Sequence, residues 1–398
     1  MTIENDQKPE HLGLRRSLTF WPLLLYGLAV IVGAGIYVAI GSVIERAGAA
    51  APLSFLLAGI AAGMTGLCYA ELASRFPEAS GAVAYVKQGF GSDRLAQVTG
   101  MVLTLAVAVA AASIASGAVH YLSVLIGLPP AALVALLVMA FTLLAMVGVR
   151  ESTGFAAAIG ALEILGLAIA AWVGFVAAPT LDVVAMLPSS IDGWQGVVAG
   201  AFIAFFAFIG FESLANMAEE TKDPCRTLPY SIVGAVLVST LLYVVVAAAL
   251  VLAGRGGQSP LIDLFDGGQA TLFAAVGALA IANGVLVEIM MLARLFFGMA
   301  QRRQLPAVLG RVHPRTRTPI EATALAGAIV LATALLLPFE RLLALANALT
   351  LGIFAIVDLA LWRIQGRQPA AEDVFSVPRW VPPAGAALCI GLIAAAVS

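Results

Sequence analysis

The chain has 398 residues, of which 61% are hydrophobic and 11% charged, with a net charge of −2. Soluble domains carry roughly 25% charged residues, so this composition excludes an ordinary soluble fold and, with no basic excess, a nucleic-acid partner. Three scattered cysteines, Cys68, Cys225 and Cys389, offer neither a disulfide framework nor metal-ligand spacing, and no resident metal or cofactor is expected.

Residues 1–18 mix both signs of charge and precede an apolar run too long for a signal h-region, which predicts a retained cytosolic tail. Crossing about 30 Å of hydrocarbon takes about 20 apolar residues per helix. Eleven such stretches follow, near 19–44, 50–72, 96–118, 131–149, 153–177, 194–218, 229–253, 270–300, 319–337, 342–362 and 380–397. Of the 21 Lys and Arg, only Arg46, Arg255 and Arg341 fall outside the tail, alternate loops and the helix ends beside them. The positive-inside rule then predicts a cytoplasmic N-terminus and, after eleven crossings, an external C-terminus.

The first stretch contains "IVGAGIYVAIG", with Gly33 and Gly35 near mid-bilayer. Two readings fit. Small residues let a neighbouring helix approach closely, or the backbone unwinds there and exposes peptide groups able to bind ions and zwitterions. A second glycine-centred stretch, "AFFAFIGFESLANMAEETKDPCRTLP", with Gly210 in mid-helix and Glu212 after it, favours the second reading. Helices 1 and 6 open successive groups of five, 19–178 and 194–363, which in-out alternation gives opposite topology. That is the pattern of an inverted-repeat secondary transporter, with 364–398 supplying a loop and one extra helix. The expected fold is therefore all-α and integral to the membrane, a 5+5 core plus an eleventh helix.

The segments "GAGIY", "CYAELASRFPEASGAVAYVKQGFG", "GVRES", "AFFAFIGFESLANMAEETKDPCRTLP" and "LARLFFGMAQRRQLPAVLGRVHPRTRTP" together resemble the bacterial amino acid permeases of the amino acid, polyamine and organocation transporter superfamily. The resemblance runs from about Leu14 to Arg363 and implies a LeuT-like fold in a bacterial inner membrane. Such permeases often have twelve helices, so the missing last one bears on any dimer contact it makes. The resemblance also implies a substrate site. The amino acid carboxylate would rest on the NH groups of Ala34, Gly35 and Ile36 beside Gly33. The α-ammonium would rest on carbonyls left free at both breaks, those of Ile31, Phe206 and Ile209. Tyr37, Phe206 and Phe208 are the aromatic candidates around the substrate side chain, each weighed against ordinary core packing.

Ionisable groups in the membrane cost roughly 2.5–3.5 kcal/mol each on insertion scales, so each is a functional candidate. Glu163, Glu212 and Glu288 are the proton-coupling candidates, whereas Glu71 and Asp358 read as structural and Arg294 as snorkelling. Several relatives carry a lysine where this chain has Glu163. A Glu in a dry site can load and release a proton as access alternates, or it can stay protonated and brace the bundle. From Ala274 to Ala300 helix 8 has no Ser or Thr to dress a sodium ion, which disfavours sodium coupling. Glu288 would either meet a cationic substrate group or pack as a neutral acid, and at about 100° per residue Asn283 and Glu288 stand about 140° apart, so both are not expected to face the substrate.

The expected function is proton-coupled secondary active transport of amino acids by alternating access, with an amino acid exchanger or a carrier of cationic amino acids or polyamines as the alternative. No nucleotide-binding loop appears to supply ATP energy. A channel would need a continuous polar stripe and an intramembrane enzyme a catalytic constellation, and neither is written in these helices.

Overall fold

The computed structural model describes residues 18–77, 81–148, 153–180, 182, 184–257, 259–369, 371 and 374–397. The cytosolic tail expected over residues 1–18 lies outside these residues apart from Leu18, as does Arg150 in the "GVRES" segment. Thirteen α-helices make up most of the described chain. They are α1 (Phe20–Val32), α2 (Ala34–Ala47), α3 (Ala51–Arg75), α4 (Ala82–Phe90), α5 (Asp93–Leu125), α6 (Pro130–Val147), α7 (Thr153–Ala177), α8 (Ile191–Ala204), α9 (Pro224–Leu252), α10 (Gly267–Gln301), α11 (Ile320–Leu336), α12 (Phe339–Arg367) and α13 (Val381–Val397). Among the described residues, eight helical stretches are long and apolar enough to cross a membrane, and α1, α11 and α13 are shorter apolar helices.

Local chemistry explains many of the boundaries. Ser92 and Ser190 cap α5 and α8 by accepting the NH groups of Leu95 and Gly193. Pro130 and Pro224 occupy first turns, where a missing NH costs nothing. Pro229 lies deeper in α9 and cannot bond the Cys225 carbonyl four residues back, and the Ser74 hydroxyl donates to that carbonyl instead at 3.2 Å. The stretch between the second and third apolar runs, read from the sequence as a loop, contains the nine-residue helix α4. Its core-facing Ala82, Tyr85, Val86 and Gly89 recur at helical spacing.

The core is mostly apolar, with a few buried polar groups such as Glu71, Glu163 and Asp358, and the outward faces are apolar as well: Trp172 and Leu241 are each about two-thirds exposed or more, the pattern of a surface bathed in lipid. Helix α3 packs along α9, and α5 along both α10 and α12. Two of the predicted stretches are not continuous α-helices. The first divides at Gly33 into α1 and α2. The sixth leaves α-geometry at Phe205, runs as a 3-10 helix to Phe208, turns through Ile209 and Gly210, and continues as a 3-10 helix from Phe211 to Glu220.

Candidate functional site

A cavity of about 330 Å³ lies where these two interruptions meet. Gly33 has φ −45° and ψ −142°, so α1 stops and α2 restarts in a single residue. The restart gives α2 a helix N-terminus, whose first NH groups have no partner within the helix. Among the described residues no hydrogen bond from outside the helix reaches the NH of Ala34, Gly35 or Ile36. Ala34 and Gly35 line the cavity, whereas the Ile36 side chain is wholly buried away from it. A Cβ at Gly35 would lie 2.8 Å from Ala207 Cα and 3.1 Å from the Phe206 carbonyl oxygen, so the two interruptions touch here and only glycine allows it.

Gly210 carries the second interruption with φ +125°, a conformation glycine adopts freely, and its α-carbon face lies against Val30. Its NH donates to Glu212 Oε2 at 2.9 Å, and its carbonyl accepts the Ser213 NH at 3.0 Å. Phe206, Ile209, Gly210 and Glu212 all line the cavity.

Of the three carbonyls expected to be free, those of Ile31 and Phe206 are partly engaged. The Tyr243 hydroxyl on α9 donates to Ile31 O at 2.8 Å and stands 2.9 Å from Ala207 O, and Phe206 O accepts the Ile209 NH at 3.3 Å. A carbonyl has two lone pairs, so one acceptor site remains on Ile31 and on Phe206. Tyr243 thus joins the two interruptions through one proton. Sequence reasoning missed it, although a phenol in the middle of an apolar helix was the available signal.

The aromatic candidates separate. Phe206 lines the cavity. Phe208 is fully buried with its ring edge-on to Tyr243 at 5.1 Å, and Tyr37 donates its hydroxyl to the Glu163 carbonyl oxygen at 3.0 Å and packs edge-on to Tyr121; neither lines the cavity.

Asn283 and Glu288 both line the cavity, against the expectation that only one would. The reason is the breadth of the exposed face. From Ala280 through Asn283, Gly284, Val287, Glu288, Met291 and Leu295, α10 presents an arc of about 140° to the cavity, with Asn283 and Glu288 at its two edges. Glu212 and Glu288 both line the space, and among the described residues no Lys or Arg does. Tyr69, Asn216 and Thr350 add polar atoms that the sequence reading had not singled out.

Glu163 stands on the other side of the first interruption. It is 1% exposed, neither carboxyl oxygen has a hydrogen-bond partner among the described residues, and Oε2 lies 3.9 Å from where a Cβ of Gly33 would be. It does not line the cavity.

Glu71 has a structural role. It takes Arg75 at 2.6 Å, the Gln365 amide at 2.9 Å and the Val377 NH at 2.7 Å, tying α3 to the segment before α13. Asp358 accepts the Thr65 hydroxyl at 3.0 Å. His313 organises its loop through the Thr318 carbonyl and the Arg317 NH. Among the described residues no group of His, Cys, Asp and Glu is arranged to hold a metal ion.

The profile of the family described as amino acid permease matches residues 18–398. The chain is 30% identical to the vacuolar cationic amino acid transporter 4 of Arabidopsis thaliana over 97% of its own length and 66% of the relative's. It is 29% identical to the methylthioribose transporter of Bacillus subtilis, covering 95% of this chain and 87% of the relative. The branched-chain amino acid permease of the same bacterium is 30% identical over 92% of this chain and 84% of the relative. The chain thus spans just under two thirds of the plant transporter and most of each bacterial one.

Proposed function

The chain belongs to the amino acid permease family, a family of membrane transporters and not of enzymes, and from that premise we propose that it carries an amino acid across the bacterial inner membrane by alternating access, driven by protons. One observation carries the reading. Two interrupted helices meet at Gly35 and Ala207 on the wall of a cavity that is large enough for a small solute. Uncapped NH groups at one helix start and unsaturated carbonyls beside it suit the two charged ends of a zwitterion.

In this reading the carboxylate sits on the NH groups of Ala34, Gly35 and Ile36, and the ammonium on the carbonyls of Ile31, Phe206 and Ile209. Phe206 closes over the substrate. The architecture is two inverted five-helix halves, 19–178 and 194–363, with eleven crossings in all, a cytoplasmic N-terminus and an external C-terminus. Packing supports it: counting crossings, the second, third and fourth helices of one half lie against their counterparts in the other, α3 on α9, α5 on α10 and α6 on α11. Glu163 is the first choice for the coupling proton because its buried carboxyl has no partner, with Glu212 and Glu288 as the alternatives inside the cavity.

A second reading concerns the cargo. Two carboxyl groups and, among the described residues, no Lys or Arg around the cavity favour a substrate with an additional positive charge, a cationic amino acid or a polyamine. The plant relatives named as cationic amino acid transporters agree with it, and the bacterial relatives named for branched-chain amino acids and methylthioribose do not.

A thermal-shift screen of the purified protein against all amino acids and common polyamines tests both readings, because a ligand that binds only the native form raises its apparent stability. A selective shift by amino acids, followed by saturable, pH-gradient-driven uptake into liposomes holding only this protein, is the expected result. Stabilisation by arginine, lysine or ornithine over leucine and isoleucine selects the second reading. No shift with any amino acid and no uptake would overturn the proposal.

A further inference from the structure

A second recess lies away from the central cavity. Arg363 and Arg367, one turn apart near the end of α12, converge with Arg379, just before α13, on a space of about 220 Å³. Gly366 makes the convergence possible: a Cβ there would stand 3.0 Å from Arg379 Nη2. The Arg363 guanidinium is held over the Phe90 ring at 4.9 Å, and Arg367 Nη1 donates to the Gly89 carbonyl at 3.3 Å. Among the described residues none of the three pairs with a carboxylate. Glu71, on α3, is already taken by Arg75, Gln365 and Val377, and Glu372 and Asp373 of the link to α13 lie outside the described residues.

Three guanidiniums facing one space repel one another unless an anion sits between them, and a planar, fork-like donor set matches the oxygens of a phosphate. The surroundings point to where that phosphate comes from. Trp362 lines the recess at 42% exposure, and Trp380, the neighbour of Arg379, is 60% exposed. Exposed tryptophans of this kind sit at headgroup level, where indole spans the apolar and wet layers. Helices α12 and α13, which flank the recess, are both apolar.

We propose that Arg363, Arg367 and Arg379 form a binding site for the phosphodiester of an anionic phospholipid of the leaflet read as cytoplasmic, with Trp362 and Trp380 resting against its glycerol and upper acyl region. The lipid would fasten α12 to α13, and through Phe90 and Gly89 to α4, all of which carry or adjoin walls of the central cavity. Each Arg near an anionic surface is worth about a fivefold preference.

The test is native mass spectrometry and thermal unfolding of the protein in phosphatidylcholine nanodiscs with and without phosphatidylglycerol. The wild type is expected to retain phosphatidylglycerol through detergent extraction and to unfold at a higher temperature in its presence. Arg379→Gln, whose side chain makes no hydrogen bond among the described residues, should weaken retention about fivefold, and the triple change of Arg363, Arg367 and Arg379 to Gln should abolish it. Arg302→Gln with Arg303→Gln, in the basic loop after α10, removes one charge more than Arg379→Gln and, as the control, should retain the lipid. Equal retention by wild type and Arg379→Gln, or equal loss in the control, would overturn the proposal, and the single variant decides if the triple one does not fold. Stabilisation by inorganic phosphate in pure phosphatidylcholine equal to that by phosphatidylglycerol would also overturn it, since the site would then serve a soluble anion.

Discussion

The two interruptions do the same thing by different means. At the first, two regular α-helices flank one residue, Gly33, and the geometry changes abruptly. At the second, the chain departs from α-geometry four residues before the turn and never regains it, running ten residues as a 3-10 helix to Glu220. Long 3-10 runs are uncommon because their hydrogen bonds are poorly aligned, and they often mark hinges. In the proposed mechanism the first interruption is the fixed bracket that presents NH groups, and the second the compliant partner. The glycines divide the same way: Gly35 is required by a neighbour's backbone, and Gly210 by its own φ of +125°.

Gly35→Leu is the severest way to break this arrangement. Its side chain would have to occupy the space of Ala207 Cα and the Phe206 carbonyl, which are backbone and have no rotamer to yield. Uptake should fall to background and ligand-induced thermal shifts should vanish. Retained affinity in a folded Gly35→Leu protein would show that the carboxylate does not sit at α2.

Gly210→Ala comes next. The conformation alone costs about 1–3 kcal/mol for a residue with a Cβ, and contact with Val30 adds to it. A lowered unfolding temperature with transport reduced in rate more than in affinity is expected, because the compliant interruption is the one that must move. Equal losses in both would argue that Gly210 only fits the site.

Tyr243→Phe should be milder. It keeps the ring against Phe208 and Phe55 and removes only the hydroxyl that links Ile31 O with Ala207 O. Leaving a buried carbonyl without its donor costs about 1–3 kcal/mol. Stability measured by denaturant unfolding should drop by that order, and saturating substrate should recover part of it, since a substrate ammonium can take the vacated lone pairs.

Much of this was legible beforehand because the bilayer simplifies the code. Apolar runs of about 20 residues and paired glycines at mid-depth have few interpretations in lipid, and both interruptions fell where those glycines stand. What escaped was everything set by the arc a helix presents. Asn283 and Glu288 lie at opposite edges of a face that sequence spacing cannot measure, because its width depends on how far α10 stands from its neighbours. Tyr243 escaped for a related reason: a phenol in an apolar helix looks like packing until two carbonyls are found at its oxygen. Conversely, Phe208 and Tyr37 looked like substrate aromatics by proximity in sequence, and helical rotation turned both away from the cavity.

The gentlest change sharpens the contrast between the two sides of the first interruption. Glu212 and Glu288 face the cavity, and Glu212 already accepts a backbone NH, whereas Glu163 lies behind Gly33 with both oxygens unpartnered. Glu163→Gln preserves shape and removes the titrating proton. If Glu163 carries the coupling ion, binding at a fixed pH should change little, while the acceleration of uptake on acidifying the outside should flatten, as read by substrate entry into liposomes across a series of imposed pH gradients. Exchange of substrate for substrate, which moves no net proton, should survive in the same vesicles. An unaltered pH profile in Glu163→Gln, with a flattened one in Glu288→Gln, would transfer the proton to the cavity side, and the first interruption would then be purely a carboxylate bracket with a neutral brace behind it.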